Sequence, residues 1–204
     1  MAILNKNELS IANIGDSGFL VIRFKNGEPF CPHKSKEQQH AFNIPYQLSQ
    51  LPTQADLEIL RRKGKLTEMS KLKQVLKKKN NVCQDSPENA DDYNIELKEG
   101  DIVVSATDGV FDNLFQHEVL TMVSDFKKAQ ANSMIKTDGQ AQELSKILVD
   151  AAIDKFKNPK GKKTPYQRKY KKTYNATWEV STLFDFILFV GRKRRRHHRS
   201  GVHS

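Results

Sequence analysis

Cysteine is scarce in this sequence. The 204 residues include two cysteines, Cys31 and Cys83, which are too few for the disulfide framework of a small secreted domain. Neither has a cysteine or histidine partner at the spacing of a zinc finger, and Cys31-x-His33 alone is a weak metal pattern. We therefore expect two ordinary thiols in a protein of a reducing, intracellular compartment.

Long apolar runs are also missing. The longest covers residues 183–190 and contains Asp185, so it is far shorter than the roughly 20 apolar residues that span a bilayer. The first residues have neither the pattern of a secretory signal nor that of a transit peptide. We predict a chain without a transmembrane or visible targeting segment, and the compartment stays open.

Acidic residues are too few to balance the basic ones. Lysine and arginine number 34 against 24 acidic residues, a formal net charge of +10, and such an excess suits nucleic acid or an anionic membrane. Much of the charge lies in three runs, 61–79, 155–172 and 192–199, which is typical of solvated surface. No nucleic-acid recognition motif accompanies it, so we predict no nucleic-acid binding. A basic nucleic-acid-binding protein is the weaker alternative, and steep salt dependence of binding would favour it.

Strand patterns dominate the first half and helix patterns follow. Four stretches have the apolar alternation or β-branched content of strands: 8–14, 18–24, 93–97 and 102–104. The turn Gly15-Asp-Ser-Gly18 predicts that the first two form a tight hairpin. Helical spacing follows Asp112 and Gly139, and the second of these helices has the apolar stripe Leu144, Ile147, Leu148, Ala151 and Ala152. This order predicts an α+β sandwich whose sheets are covered by helices.

Residues 57–79 differ in character from their surroundings. Leucines and a methionine recur at helical spacing among arginines and lysines, which predicts a basic amphipathic helix interrupted at Gly64. Two interpretations stay open. The segment is either a solvated surface helix or a surface that docks a partner or an anionic layer.

The central stretch is Glu99–Leu114. Gly100 can adopt a positive φ in a turn, and the β-branched run 102–104 then predicts a buried strand that ends at Asp108-Gly109. A carboxylate there, next to a residue that allows close backbone approach, can present a metal ligand. On residue types alone, a simple turn is the alternative interpretation.

Three linked motifs resemble one family. The stretch "GDIVVSATDGVFDNL" is similar to the Asp-Gly motif of the metal-dependent protein phosphatases of type 2C, and "LSIANIGDSGFLVIR" and "EQQHAFNIPYQLS" agree in order and spacing. The last of these and the segment 164–167 resemble the PTC-seven-like branch. The resemblance covers residues 3–56 and 83–179. It marks residues 1–179 as a partial phosphatase domain with a basic helical insertion at about 57–82.

The resemblance implies a fold and a chemistry. The family fold is a four-layer α/β/β/α sandwich, and its members hydrolyse phosphoserine and phosphothreonine with a water activated by two Mn²⁺ or Mg²⁺ ions. It implies phosphoprotein substrates and Asp108 as a metal ligand, and because some members of the branch are organellar it leaves a mitochondrial location open. We also expect a monomer. Asp112 and Asn113 are expected to brace the loop after the strand. Asp16 lies near the metal centre but stays outside the ligand set, and a lone His40 is expected to be packed or solvated.

Two parts of the family site are missing from the sequence. The Asp-Gly-x-Gly-Gly motif and an upstream phosphate-binding arginine do not occur, and the C-terminal Gly-Gly-x-x-Asp-Asp motif is replaced by 180–190, where we do not assign Asp185 as a ligand. We therefore expect a truncated phosphatase. The alternative is a catalytically inactive phosphoprotein-binding module, a pseudophosphatase.

The basic tail 180–204 has two interpretations. One choice of codons for residues 191–199, read one base later, encodes Gly-Gly-Asn-Asp-Asp-Asp-Ile-Thr, which matches the missing motif. This suggests the hypothesis that 180–204 is a mis-spliced or frameshifted end, and an uninterrupted transcript through these codons would contradict it. On the competing interpretation the tail is a genuine nuclear-localisation or anion-binding segment.

Overall fold

Three antiparallel sheets make up the described β-structure. The computed structural model describes residues 1–49, 52–77, 84–131, 139–158, 163–177 and 188–192. In chain order the strands are β1 (Ala2–Asn5), β2 (Glu8–Asn13), β3 (Gly18–Lys25), β4 (Glu28–Lys34), β5 (Gln39–Ala41), β6 (Ile44–Pro45), β7 (Asp91–Glu96), β8 (Ile102–Ala106) and β9 (Leu188–Arg192). The first sheet has the order β1-β2-β7, the second has β4-β3-β8-β9, and β5 pairs with β6.

Six α-helices accompany the sheets in the described ranges. They are α1 (Gln54–Arg62), α2 (Leu66–Lys77), α3 (Asp108–Phe111), α4 (Gln116–Ala131), α5 (Gln140–Lys157) and α6 (Pro165–Tyr174), and a 3₁₀ turn covers Pro87–Asn89. Within these ranges, no helix is both long enough and apolar enough to cross a membrane.

Strand β3 is shared by two apolar cores. Leu20 and Ile22 pack with β8, α3, α4 and α5, whereas Phe19 and Val21 pack with residues of β2 and β7. Successive side chains of a strand point to opposite faces, so the second sheet is covered by helices on one face and by the first sheet on the other. The prediction of an α+β sandwich is confirmed.

The predicted hairpin between the first two strands is wrong. β2 pairs with β7, where Leu9 lies opposite Ile95, and β3 pairs with β8, where Leu20 lies opposite Val104. The turn at Gly15 therefore carries the chain from one sheet to the other. The physical reason is burial: β3 is apolar on both faces and needs cover on both, which pairing with the half-exposed β2 in one sheet would not provide.

The predicted helices are present, but one residue of α5 is more exposed than predicted, and α6 is an additional helix. In α5 the buried residues Leu144, Leu148 and Ala152 are four positions apart and so lie along one face of the helix. Ile147 is not in this series and is 38% exposed. Helix α6 was not predicted. Its start carries a capping box in which the Thr164 hydroxyl accepts a bond from the Gln167 N–H and the Gln167 side chain accepts one from the Thr164 N–H.

The basic segment forms two helices rather than one interrupted helix. It begins at Gln54, and Gly64 at φ +68° separates α1 from α2. The Lys65 N–H donates to the Leu60 carbonyl at 3.0 Å, which is the bond of a glycine-terminated helix end. Residues 78–83 lie outside the described part of the chain.

The turn before β8 is fixed by a buried ion pair. Arg23 Nε and Nη2 donate to the two oxygens of Asp101 at 2.8 and 2.7 Å, and the Lys98 N–H donates at 2.8 Å. Asp101 is 1% exposed. Burial by itself raises the pKa of the Asp101 carboxyl, but the bonds from Arg23 and Lys98 outweigh it and lower this pKa. The pair ties β3 to the start of β8.

Part of the predicted tail joins the second sheet. β9 pairs with β8, with Val190 opposite Val104. The rest of the tail, including Asp185, lies outside the described residues, so its origin stays a hypothesis.

The described cysteine agrees with an ordinary thiol. Burial raises the pKa of the Cys31 thiol, which lowers its thiolate fraction and hence its reactivity. Cys83 lies outside the described residues.

Candidate active site

The candidate site begins where β8 ends. Thr107 in extended conformation leads into α3, whose first residue is Asp108. The Gly109 N–H donates to Asp108 Oδ1 at 2.8 Å, and the Asp112 N–H donates to the Asp108 carbonyl at 2.7 Å. The abrupt change from strand to helix holds the Asp108 carboxylate at the strand end, as the sequence predicted.

A buried amide secures the loop after Asp108. Asn113 is 6% exposed, and its side-chain amide donates to the Gly109 carbonyl at 2.8 Å. Asp112 contributes through its backbone, since its carbonyl accepts a bond from the Tyr166 N–H at 3.0 Å. The predicted bracing roles of Asp112 and Asn113 are consistent with these contacts.

Four carboxylates from three segments of the chain lie close enough for their charges to interact at this point. Burial is the main reason why the pKa of the Asp112 carboxyl rises to about 7. The neighbouring charges act in both directions: Lys169 lowers this pKa, and three carboxylates raise it, namely Glu37, Asp108 and Asp16. Burial also raises the pKa of Asp16. Together these acidic groups form an acidic cluster of Asp16, Glu37, Asp108 and Asp112.

Lys169 supplies a positive charge to the acidic cluster. Its Nζ lies 2.6 Å from both carboxylate oxygens of Glu37 and 3.8 Å from Asp112 Oδ1. The lysine extends from α6, so the helix closes one side of the site. Neither Lys169 nor Glu37 was among the predicted site residues. The capping box at Thr164 could have revealed α6, but no local signal links two residues so distant in the chain.

Helix α6 is held in place by aromatic contacts. Phe42, in the turn between β5 and β6, lies 5.2, 5.8 and 5.5 Å from the rings of Tyr166, Tyr170 and Tyr174. Arg168 lies over the Phe115 ring at 4.4 Å. Rings in these tilted and edge-on arrangements add to the energy of their burial. They fix the position from which Lys169 reaches the acidic cluster.

The Gly15 turn carries Asp16 and has little spare room. Gly15 has φ +89°, and a Cβ there would lie 2.8 Å from the Tyr46 carbonyl oxygen. A Cβ at Gly18 would lie 2.2 Å from Ser35 Oγ. Gly15 is therefore required for this turn, whereas a side chain at Gly18 would displace Ser35 Oγ, which accepts a bond from the Phe19 N–H. The turn brings Asp16 close enough for its charge to raise the pKa of Asp112. Asp16 was not predicted to be a metal ligand.

His40 has a structural environment. Its Nε2 lies 3.0 Å from each Asp85 oxygen, and its ring stacks on Tyr46 at a centroid distance of 4.1 Å. The Gln47 N–H also donates to Asp85 at 2.8 Å. Burial raises the pKa of the Asp85 carboxyl, but the bonds from His40 and Gln47 outweigh it and lower this pKa. His40 thus joins the segment around β5 and β6 to residues 84–89.

The described residues do not complete a metal site. Carboxylate oxygens are the donors that hard divalent cations prefer, so the chemistry of the acidic cluster suits Mn²⁺ or Mg²⁺. However, no group of three or more histidine, cysteine or acidic side chains in the described ranges is placed to hold a metal ion. Asp108 is the predicted ligand, and further ligands would have to come from residues outside these ranges.

Comparison with known proteins identifies relatives over most of the chain. No family model matches the sequence. It is 34% identical over 142 residues to "Protein phosphatase PTC7 homolog" of Danio rerio, covering 70% of this chain and 39% of the relative. It is 36% identical over 143 residues to the protein of the same name in Homo sapiens, covering 68% of this chain and 38% of that protein. The chain thus spans about two fifths of the length of these curated relatives.

One solved structure supports the fold. It is described as "X-ray structure of the photosystem II phosphatase PBCP", and it superposes with a TM-score of 0.61 at 22% identity. The match covers 93% of this chain and 60% of that structure. At this identity the likeness concerns the fold alone, which agrees with antiparallel sheets flanked by helices.

Proposed function

Because the chain belongs, over the part that it spans, to the PTC7-like branch of the protein phosphatase 2C family, we propose that its protein hydrolyses phosphoserine and phosphothreonine in protein substrates. The observation that carries this proposal is the position of Asp108. It stands at the end of a buried strand, at the start of a helix and within an acidic cluster.

We propose further that the activity depends on Mn²⁺ or Mg²⁺ and that Asp108 is a metal ligand. The support is the family membership together with the oxygen donors of the acidic cluster, since hard cations prefer such donors. The described residues provide too few ligands for a complete site, and we therefore assign no catalytic step to the metal.

The other residues of the site act by positioning. Asn113 holds the Gly109 carbonyl and so keeps the start of α3 in place beside Asp108. Lys169 offsets the repulsion between Glu37 and Asp112, because an opposite charge within a few ångströms favours the ionised carboxylate. These contacts keep the start of α3 and the carboxylates around Asp108 in place.

The test is turnover by the chain as it exists. Hydrolysis of p-nitrophenyl phosphate and of a phosphothreonine peptide is measured with Mn²⁺, with Mg²⁺ and with a chelator. We expect metal-dependent turnover that Asp108→Asn reduces to background. The matched control is Asp125→Asn, which neutralises an exposed aspartate on α4 and should leave turnover unchanged.

Two outcomes would contradict the proposal. Turnover that is equal in both variants would remove Asp108 from the site. Tight binding of the phosphothreonine peptide without any turnover would support the alternative, a catalytically inactive phosphoprotein-binding module, in place of the enzyme.

A further inference from the structure

The segment between α1 and α2 projects into solvent. We call residues 59–66 the basic turn. Every residue from 61 to 68 is exposed, and a Cβ built at Gly64 would meet no atom within 4 Å. The basic turn is therefore an exposed surface with open space around Gly64.

Hydrogen bonds define both ends of α1, the helix that leads into the basic turn. The Thr53 side chain accepts a bond from the Asp56 N–H, and the Asp56 carboxylate accepts one from the Thr53 N–H at 2.7 Å, which forms a capping box at the start of α1. Leu57, in the first turn of α1, is 5% exposed. At the other end, the bond from the Lys65 N–H to the Leu60 carbonyl fixes the exit from α1. A preordered surface loses little conformational freedom on binding.

Positive charge is concentrated on the basic turn. It contains four cations, Arg61, Arg62, Lys63 and Lys65. Two of them have acidic partners nearby: Arg61 lies 3.2 Å from Glu58 on α1, and Lys65 lies 3.8 Å from Glu68 on α2. Among the described residues, no carboxylate lies within ion-pair distance of Arg62 or Lys63. These two charges are therefore available to an anionic partner.

Two large aliphatic side chains flank these cations. Ile59 is 48% exposed and Leu66 is 62% exposed. One is in the last turn of α1 and the other is the first residue of α2. Basic residues beside protruding aliphatic side chains are the pattern of segments that enter the boundary between lipid headgroups and acyl chains.

We propose that the basic turn binds the surface of an anionic lipid bilayer. Ile59 and Leu66 enter the headgroup–acyl boundary, while Arg62 and Lys63 contact lipid phosphates. A nucleic acid is disfavoured because residues 54–77 contain no aromatic side chain on which a base could stack. An acidic peptide is disfavoured because a protruding turn encloses no extended chain.

The experiment is co-sedimentation of the full chain with vesicles. One set contains phosphatidylcholine with phosphatidylglycerol, and the other contains phosphatidylcholine alone. We expect binding to the anionic vesicles only, decreasing as salt is raised. The variant Arg62→Gln/Lys63→Gln should reduce the partition coefficient by about 30-fold, from roughly 1 kcal/mol for each basic residue near an anionic surface.

Matched variants separate the basic turn from the net charge of the chain. Lys25→Gln/Lys146→Gln removes the same charge from two exposed positions outside the basic turn and should leave partitioning nearly unchanged. Ile59→Ser/Leu66→Ser should weaken binding and leave its salt dependence intact, because it alters the apolar contribution alone. Circular dichroism checks that each variant keeps its helices.

Three results would overturn the inference. Equal losses in the two charge variants would assign the binding to overall charge. Unchanged binding in both the Arg62/Lys63 and the Ile59/Leu66 variants would exclude the basic turn. Binding to a DNA duplex or an acidic peptide without binding to vesicles would replace the bilayer by that partner.

Discussion

The buried pair Arg23–Asp101 offers the sharpest test of what holds the second sheet together. Arg23→Ala would leave the Asp101 carboxylate, 1% exposed, with the Lys98 N–H as its remaining described donor. Breaking a buried pair by removing one partner costs about 3–5 kcal/mol, because the other charge stays desolvated. The Arg23 side chain is 18% exposed, so water can reach the vacated space. We expect a loss near the lower end, about 3 kcal/mol.

A double-mutant cycle isolates the pair. Urea unfolding is measured for Arg23→Ala, Asp101→Ala and the double variant, and we expect the double variant to lose much less than the sum of the single losses, because it leaves no unpaired buried charge. The control is Lys25→Ala, which removes an exposed cation of the same strand and should change the free energy of unfolding by less than about 0.5 kcal/mol.

The pH dependence tests the same reasoning independently. In the unmodified chain the pKa of Asp101 is lowered on folding, so its contribution to stability is present above the unfolded pKa of about 3.9 and is lost as pH falls through the lower folded pKa. Without Arg23 the largest contribution that lowers this pKa is lost while burial still acts to raise it, so the stability that the ionised Asp101 contributes above about pH 4 should shrink or disappear. A loss below about 1 kcal/mol in Arg23→Ala, or an unchanged pH profile, would refute the argument.

Three further changes should have measurable effects. Asp112→Asn should stabilise the metal-free chain at pH 8 by up to about 4 kcal/mol. The reason is that the folded pKa of Asp112 is about 7, so that the unmodified chain loses stability as pH rises from about 4 to about 7. Urea unfolding should therefore show a gain at pH 8 and none at pH 4, and an equal gain at both pH values would contradict this origin. Gly15→Ala should lower the free energy of unfolding, measured in urea, by more than Gly27→Ala does. Both glycines have positive φ, but only at Gly15 would the Cβ meet the Tyr46 carbonyl. Equal losses of about 1–2 kcal/mol would mean that backbone conformation alone matters. Thr164→Ala should remove the cap of α6 and lower the free energy of unfolding by about 1 kcal/mol, while Thr164→Ser should retain most of it; a similar loss in both variants would exclude the capping bond as the cause.

Local sequence signals predicted the parts of the site that depend on neighbouring residues. The strand β8 and the turn at Gly100 follow from β-branched residues and a glycine with φ +86°. The position of Asp108 at the strand end follows from the same stretch. The periods of α4 and α5 likewise gave their buried faces, apart from Ile147. In each case the interactions join residues a few positions apart, so a pattern in the sequence reflects them directly.

Contacts between distant segments could not be predicted in this way. The turn at Gly15 has the residues of a hairpin, and whether it joins paired strands or crosses between sheets depends on what covers β3. Lys169 meets Glu37 across 132 positions, and α6 is basic on the outside with its aromatic face turned to Phe42. The raised pKa of Asp112 likewise arises from burial and from charges on other segments.

The sequence by itself therefore determined β2, β3, β7 and β8, the periods of α4 and α5 and the Asp108 motif, because these depend on short-range geometry and residue chemistry. The resemblance of three motifs indicated the family. The tertiary structure alone decided which sheet each strand joins, how the acidic cluster is assembled and where Lys169 offsets its charge. Burial and Coulomb interactions act through space, and no local pattern records which distant side chains will share that space.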